Sequence, residues 1–343
     1  MHHAIRSLHA RSPLRLDFVG MTDYLPACQE MGGSILNVTI NKYLYGSLRP
    51  REDGRIVLHA PDHDDLTVEI EDAAHLDPQG RLGLVQEALR RFDLPCGVEL
   101  TTYSEMPGGA GLGSSSTAAT CVIAILDAFT GRRLSNYEIA EMARSIETSA
   151  LQATYGWQDQ YSPVTGGGVK YMRYWPGQPD GCIEIDLLHL PVDTLAALEK
   201  SLVVCYTGLS RPAKQILDAV AGGFQQGESG VRDAFREMNA LADEMRGRFL
   251  RGDLSEMGDL LTAVWTAHQR LHPAVTNEVL EGFLAHAVEA GALGGRVCGA
   301  GGGGTMMFWC DRDKDYAVKR RLRDLGGTIF DWSVEREGLL IWE

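Results

Sequence analysis

Several features are scarce or missing in this chain, and each gap narrows what it can be. None of its seven cysteines, at positions 28, 96, 121, 182, 205, 298 and 310, forms a C-x-x-C pair. An odd count without regular spacing argues against a disulfide framework and predicts reduced, buried thiols in a reducing compartment. No stretch approaches the ~20 consecutive apolar residues of a membrane span. Met1-His2-His3-Ala4-Ile5-Arg6 lacks the apolar core of a signal peptide, so the cytoplasm is the expected location and a membrane is not an expected partner. Positive charge is short: 32 Lys and Arg stand against 46 Asp and Glu, a net charge of −14. Nucleic acid is therefore not an expected partner, because phosphate backbones are bound chiefly by excess Lys and Arg. A small anionic substrate stays open, since it needs only a locally positive pocket and a metal.

What is present is ordinary for a soluble globular protein: 343 residues, 44% hydrophobic and 23% charged. At roughly 150 residues per domain that length predicts two domains, and a change of character near 190 sets the expected division at 1–189 and 190–343. Leu14 to Phe18 and Ser34 to Leu48 read as strands, and Ile56 to His59 with Leu66 to Ile70 as an antiparallel pair. Helical spacing runs over Leu82 to Phe92. Gly97 to Tyr103 alternates as a strand into the glycine-rich stretch Pro107 to Gly113, and Ser114 to Phe129 follows as a buried helix. Ser135-Asn136-Tyr137-Glu138 fits a capping box. Beyond 190, a strand at Ser201 to Tyr206 precedes amphipathic helices over Lys214 to Val220, Val231 to Arg248, Leu254 to Leu271 and Asn277 to Ala290. The glycine-rich run Gly294 to Gly304 and the strand Thr305 to Cys310 close the series.

The most informative stretch is Pro107-Gly108-Gly109-Ala110-Gly111-Leu112-Gly113-Ser114-Ser115-Ser116, set between a strand and an apolar helix. Glycines let backbone N–H groups approach a ligand closely. The helix start adds unpaired donors and partial positive charge, so the loop suits an anion. The alternative is a glycine turn capped by Ser114. It is not a Walker A loop, because no Lys lies between Glu105 and Thr120. Gly299-Ala300-Gly301-Gly302-Gly303-Gly304 formally satisfies G-x-G-x-x-G, but that fingerprint needs a strand before it and a helix after it. Here a helix is expected before and a strand after.

Three stretches together resemble the GHMP kinase superfamily, which includes galactokinase, homoserine kinase and mevalonate kinase. Ser12-Pro13-Leu14-Arg15-Leu16 with Gly20-Met21-Thr22-Asp23 is similar to its first motif, Pro107 to Ser116 to its second, and Gly291 to Gly304 to its third. The resemblance implies an α+β, two-domain GHMP kinase fold. It comprises a ribosomal S5-like N-terminal domain, a ferredoxin-like C-terminal domain and an active site between them. It also implies ATP and Mg²⁺ as cofactors, with residues 107–116 binding the nucleotide.

Residue roles follow from the same resemblance. Asp159, in Gln158-Asp159-Gln160, matches the catalytic Asp of galactokinases and heptose kinases, although a lone loop Asp is more often a turn residue. Arg15 matches the Arg beside that Asp, although it could be a surface ion pair. Glu147 matches the Mg²⁺-binding Glu, with Ser115 chosen over Ser114 as its partner ligand, although most helix glutamates are simply solvated. Thr22 and Asp23 are expected to face the sugar, with Gly301 and Gly302 near it. Ser210 and Arg211 are candidates to grip a substrate phosphate, or else a helix cap and a surface Arg.

The details resemble heptose 7-phosphate kinases and fucokinases, so the expected reaction is phosphorylation of a sugar or sugar phosphate at the anomeric hydroxyl. Met21 departs from the heptose-kinase pattern, which has glycine there, and Arg15-Leu16-Asp17-Phe18 leans toward fucokinases. A non-catalytic sugar sensor and a decarboxylase of the same superfamily are the rival readings, and a homodimer is left open.

Overall fold

The computed structural model describes residues 7–151, 156–179, 182–210 and 213–343. Among these the elements run β1 (Leu8–Val19), α1 (Leu25–Met31), β2 (Gly33–Arg51), β3 (Ile56–Ala60), β4 (Leu66–Ile70), α2 (Gly83–Arg90) and β5 (Gly97–Ser104). Then come α3 (Ser114–Thr130), α4 (Asn136–Leu151), α5 (Gln158–Val164), β6 (Val169–Tyr174), β7 (Glu184–Leu188), α6 (Val192–Ser201) and β8 (Leu202–Tyr206). The last are α7 (Ala213–Gln225), α8 (Ser229–Arg251), α9 (Met257–Gln269), α10 (Glu278–Glu289), β9 (Ala292–Val297), β10 (Thr305–Cys310), α11 (Asp315–Asp324), β11 (Thr328–Ile329) and β12 (Leu340–Trp342).

Two sheets organise the chain. The first runs β12-β1-β2-β5-β3-β4, with β6 and β7 joined along the first half of β2. Strand β2 is long enough to pair with β6 over Gly33 to Val38 and with β5 over Leu44 to Arg51. The second sheet is β11-β8-β10-β9. Its four strands lie in the order fourth, first, third, second, with helices after the first and third, which is the expected ferredoxin-like β-α-β-β-α-β arrangement. The tail returns to the first sheet, where His9 to Arg11 pair with Leu340 to Trp342.

Alternation along β1 divides its side chains between two tasks. Leu14, Leu16 and Phe18 are fully buried in a core that continues through α8 and α9 to the second sheet, with the Phe18 and Phe249 rings 5.4 Å apart. Arg15 and Asp17 therefore face the other way. The β1–β2 register shifts between Pro13 and Arg15. Proline cannot donate to the ladder and favours such irregularities, and a bulge re-aims the side chains beside it. The other face of the first sheet is covered by α3, buried on nearly every side from Ala119 to Leu126, together with α2 and α4.

The capping box forms: the Glu138 carboxylate accepts from the Ser135 N–H at 2.8 Å, and the Glu138 N–H donates to the Ser135 hydroxyl at 3.3 Å. Five cysteines are buried, but Cys182 is exposed and Cys96 half-buried, and all seven are free thiols. Among the described residues no helix is long and apolar enough to cross a membrane.

The segment before the third glycine motif corrects the expectation. Residues 292–297 form strand β9, not the end of a helix. Glycine concealed it: a Cβ on Gly294 would lie 2.0 Å from the Gly258 carbonyl oxygen. The strand uses glycine so that α9 can pack directly on its backbone, and β-branched residues are correspondingly few. The dinucleotide fingerprint still fails, because Thr305 to Cys310 continues as antiparallel β10 rather than as a helix.

Candidate active site

A cavity of about 520 Å³ opens where the two sheets' loops meet. Its wall takes Gly108 to Gly111 and Gly113 to Ser116 from the loop and start of α3, Glu147 from α4, and Gly156 with Gln158 to Gln160 around the start of α5. The second half contributes Ser210, Cys298 to Gly301 and Gly303.

Glycine is required in the loop before α3. Gly109, Gly111 and Gly113 have φ near 75°, 79° and 78°, a left-handed conformation that side chains disfavour. Gly113 is the N-cap of α3 and no side chain closes the helix start, so Ser114 is not the capping residue. The helix instead offers its first N–H groups and its positive end to the cavity. The third motif supports this loop from behind: Thr305 N–H donates to the Ala110 carbonyl at 2.8 Å, and a Cβ on Gly304 would sit 2.7 Å from the same oxygen.

Arg15 and Asp159 meet at the loop. The Arg15 guanidinium donates from Nε to Oδ1 of Asp159 at 2.7 Å and from Nη2 to Oδ2 at 3.0 Å. Its Nη1 donates to the Gly111 carbonyl at 2.6 Å. Arg15 is only 3% exposed. Burial works against its charge, but Asp159 and Asp17 outweigh it and raise its pKa. Asp159 keeps about a quarter of its side-chain surface, 26%, open to the cavity. Burial raises its pKa above the ordinary carboxylate value while Arg15 opposes the rise. The residue lies in the first turn of α5 rather than in a loop. Pro163 inside that short helix and the glycines flanking it hid the helical pattern.

Asp23 holds the same segment from the other side. One of its carboxylate oxygens accepts from the Trp157 N–H at 2.9 Å and the Gln158 N–H at 3.1 Å. Gly156 must be glycine here, since a Cβ would fall 1.8 Å from that oxygen. Burial pushes the Asp23 pKa up to about 6, against the pull of the two N–H groups. Met21, just before, lines the cavity with φ 69°, a conformation costing about 1–2 kcal/mol for a residue with a side chain.

The donor set fits a magnesium-bound nucleotide. Glu147 is 1% exposed and accepts from the Ser116 hydroxyl at 2.7 Å. The Gln160 amide donates to both the Glu147 carboxylate and the Ser116 hydroxyl. Burial raises the Glu147 pKa, with Ser116, Gln160 and Ser115 hydrogen bonds opposing it. The buried Ser114 Oγ, on the cavity wall, has no hydrogen-bond partner. Hard oxygens beside a carboxylate are what a Mg²⁺ ion with its nucleotide and water ligands would use.

Several expected site residues sit elsewhere. Thr22 is fully buried and its hydroxyl donates to the Ser34 carbonyl at 2.6 Å, so it cannot face a sugar. Leu112 points into the core, and Pro107 closes a turn through the Ala110 N–H outside the cavity lining. Gly301 lines the cavity but Gly302 does not. The Gly302 N–H donates to the Val275 carbonyl at 2.7 Å. The serine donating to Glu147 at 2.7 Å is Ser116, while the exposed Ser115 lies on the cavity wall. Ser210 reaches the Gly108 carbonyl at 3.2 Å, and Arg211 lies outside the described residues. His63 and Gln160 line the cavity without having been singled out as site residues in the sequence, and Asp17 stands 3.9 Å from Arg15 behind the wall. Period-two spacing from Arg15 could have flagged Asp17.

The chain resembles known proteins over its whole length. The GHMP kinases N-terminal domain model matches residues 82–167 and the GHMP kinases C-terminal model residues 245–327. The chain is 30% identical to D-glycero-alpha-D-manno-heptose 7-phosphate kinase of Campylobacter jejuni, covering 98% of this chain and 99% of that one. It is 28% identical over 94% of its length to the bifunctional fucokinase/GDP-fucose pyrophosphorylase of Arabidopsis thaliana, of which it spans 32%. The crystal structure of Lactococcus lactis galactokinase with galactose superposes at a TM-score of 0.78 with 19% identity, over 98% of this chain and 95% of that one. With its loop-bound Arg15–Asp159 pair and this full-length similarity, the chain belongs to the GHMP kinase family of phosphotransferases.

Proposed function

We propose that this kinase transfers the γ-phosphoryl group of ATP to the anomeric hydroxyl of a sugar or sugar phosphate, a heptose 7-phosphate being the leading acceptor. The observation that carries the reading is the position of Asp159. Its carboxylate, gripped by Arg15, lies within 3.1–3.3 Å of where a Cβ on Gly113 would stand, directly against the loop that suits a phosphate. An acceptor hydroxyl hydrogen-bonded to Asp159 is thereby aimed at the terminal phosphate. Holding the two in line supplies several kcal/mol of the barrier reduction. As the new O–P bond forms and the bond to the leaving ADP oxygen breaks, the hydroxyl proton passes to Asp159.

The other residues divide the remaining tasks. The α3 start and the N–H groups of Gly108 to Ser116 hold phosphate oxygens. Glu147, with Ser114, Ser115 and Ser116, would hold Mg²⁺, which when bound neutralises the charge on those oxygens. Arg15 orients Asp159 and faces the developing charge. Asp23 binds neighbouring sugar hydroxyls, and Ser210, on the cavity wall, is the candidate contact to the far end of the acceptor. We assign these functions to two domains, 1–189 and 190–343, with the last strand returned to the first.

A free sugar is the second reading. Among the described lining residues the basic groups are Arg15, already paired with Asp159, and His63, against the three acids Asp23, Glu147 and Asp159 elsewhere in the lining. Heptose 7-phosphate, fucose, mannose, galactose and arabinose, each incubated with Mg-ATP, separate the readings by ADP release. Phosphorus NMR then locates the new ester. Turnover giving a 1-phosphate supports the proposal, and an ester at another carbon overturns the anomeric assignment.

A further inference from the structure

Behind the Arg15–Asp159 pair runs a second, wholly buried ion pair that reaches into the other sheet. Asp17, two residues along β1, and Arg296 of β9 are both 0% exposed. Arg296 Nη2 lies 3.3 Å from Asp17 Oδ2. The other oxygen of Asp17 accepts the Gly299 N–H at 3.0 Å and stands 3.9 Å from Arg15 Nη1. Arg296 is itself locked: Nη1 donates to the Phe18 carbonyl at 2.6 Å and Nε to the Val297 carbonyl at 3.1 Å. Gly20 is fitted to the arrangement, since a Cβ there would lie 2.1 Å from Asp17 Oδ2. The result is a line of alternating charges, Arg296, Asp17, Arg15 and Asp159, joining a strand of the second sheet to the carboxylate at the phosphate loop.

A buried ion pair is weak evidence for stability, because desolvation consumes most of the attraction. Two core residues of matching shape would fill the same space, so the pair invites a functional account. We propose that Asp17 and Arg296 are positioning residues for phosphoryl transfer: Arg296 holds Asp17, and Asp17 fixes the guanidinium of Arg15 and tunes how strongly it is shared with Asp159. Through Gly299, the same carboxylate ties the third glycine motif to β1. The inference rests on Asp159 being the acceptor's base.

The charged and titratable groups facing Asp159 are Arg15 and Asp17 from β1, Asp23 from the segment before α1, and Glu147 from α4. Beside Arg296 stands His268, 3.5 Å away, which burial and Arg296 keep neutral by depressing its pKa. Cys298, near Arg15, stays protonated because burial pushes its thiol up.

The test is the acid limb of the kcat–pH profile, which requires ionised Asp159. The carboxylate of Asp17 repels that of Asp159 and draws on Arg15, so Asp17→Asn should move the limb to lower pH by about one unit. Arg296→Gln frees Asp17 to pull on Arg15 and should move the limb upward, and the double variant should lie between the two. Repeating Asp17→Asn in an Asp23→Asn background removes the contribution of one neighbouring carboxyl whose pKa burial also raises. Should Arg296→Gln fail to fold, Asp17→Asn and the double variant, which leaves no unpaired charge, still decide. A folded Asp17→Asn enzyme with an unmoved limb overturns the proposal, whereas full activity in Asp159→Asn would instead remove the reading of Asp159 beneath it.

Discussion

Arg15 and Asp159 face each other across the mouth of α3 as a two-point pair, with nitrogen–oxygen distances of 2.7 and 3.0 Å, while the third guanidinium nitrogen holds the Gly111 carbonyl of the phosphate loop. One residue thus fixes Asp159, the proposed base, relative to the loop, using a planar fork that an ammonium cannot reproduce. Arg15→Lys should therefore lower kcat by about 10²-fold or more while changing nucleotide affinity much less. Steady-state kinetics beside ATP titration checks the split. An equal loss in both would make Arg15 a nucleotide ligand instead.

Glu147 is reached by Ser116 and Gln160 rather than by solvent. Truncating the carboxylate to Glu147→Gln should raise the Mg²⁺ concentration needed for half-maximal rate by at least about tenfold, and Ser116→Ala should raise it less. The check is activity against free Mg²⁺ at saturating ATP. An unchanged requirement in both would show that the cation sits elsewhere.

Asp23 gives a stability signature with a defined sign. Its carboxyl is raised from 3.8 to about 6 in the folded chain, so the native state holds its proton more tightly than the unfolded state. The stability this contributes is fully present below about pH 4 and is lost as pH rises through about 6. Relative to Asp23→Asn, the wild type should gain on the order of 3 kcal/mol between pH 7.5 and pH 4. Urea unfolding at those two pH values measures it. A difference independent of pH would mean that Asp23 titrates as an ordinary carboxylate.

Gly304 has φ 89° and no room for a Cβ beside Ala110. Gly304→Ala should push the phosphate loop out of place and weaken ATP binding by about tenfold or more, with a smaller effect on acceptor binding. Calorimetric titration with ATP decides, and intact affinity would free the third motif from supporting the loop.

The sequence made most of this architecture legible where periodicity is strong. Strands β2 to β6 and helix α3 fall within a few residues of their expected ends, whereas β1 starts at Leu8, well before the expected Leu14. Alternation along β1 and the apolar run of α3 leave little choice of partner face. Strand β9 was lost because Gly294 and Gly295 carry no side-chain signal, and α5 because Pro163 interrupts a single short helix. Within the site, Arg15, Asp159, Glu147 and the loop glycines came through local motifs. Thr22 was misjudged because burial depends on a neighbour, Ser34, that adjacency in sequence does not reveal. Arg296 and Asp17 are 279 residues apart, and long-range pairing of that kind leaves no local trace.

Asp159, as proposed, is the acceptor's base and not a nucleotide ligand. ADP release by Asp159→Asn, measured with the acceptor that the wild type turns over and with ATP binding followed in the same preparation, tests it most directly. ATP affinity should stay within a few-fold of wild type while phosphorylation falls by at least about 10³-fold. A variant that still phosphorylates at a rate near wild type would contradict the proposed role of Asp159.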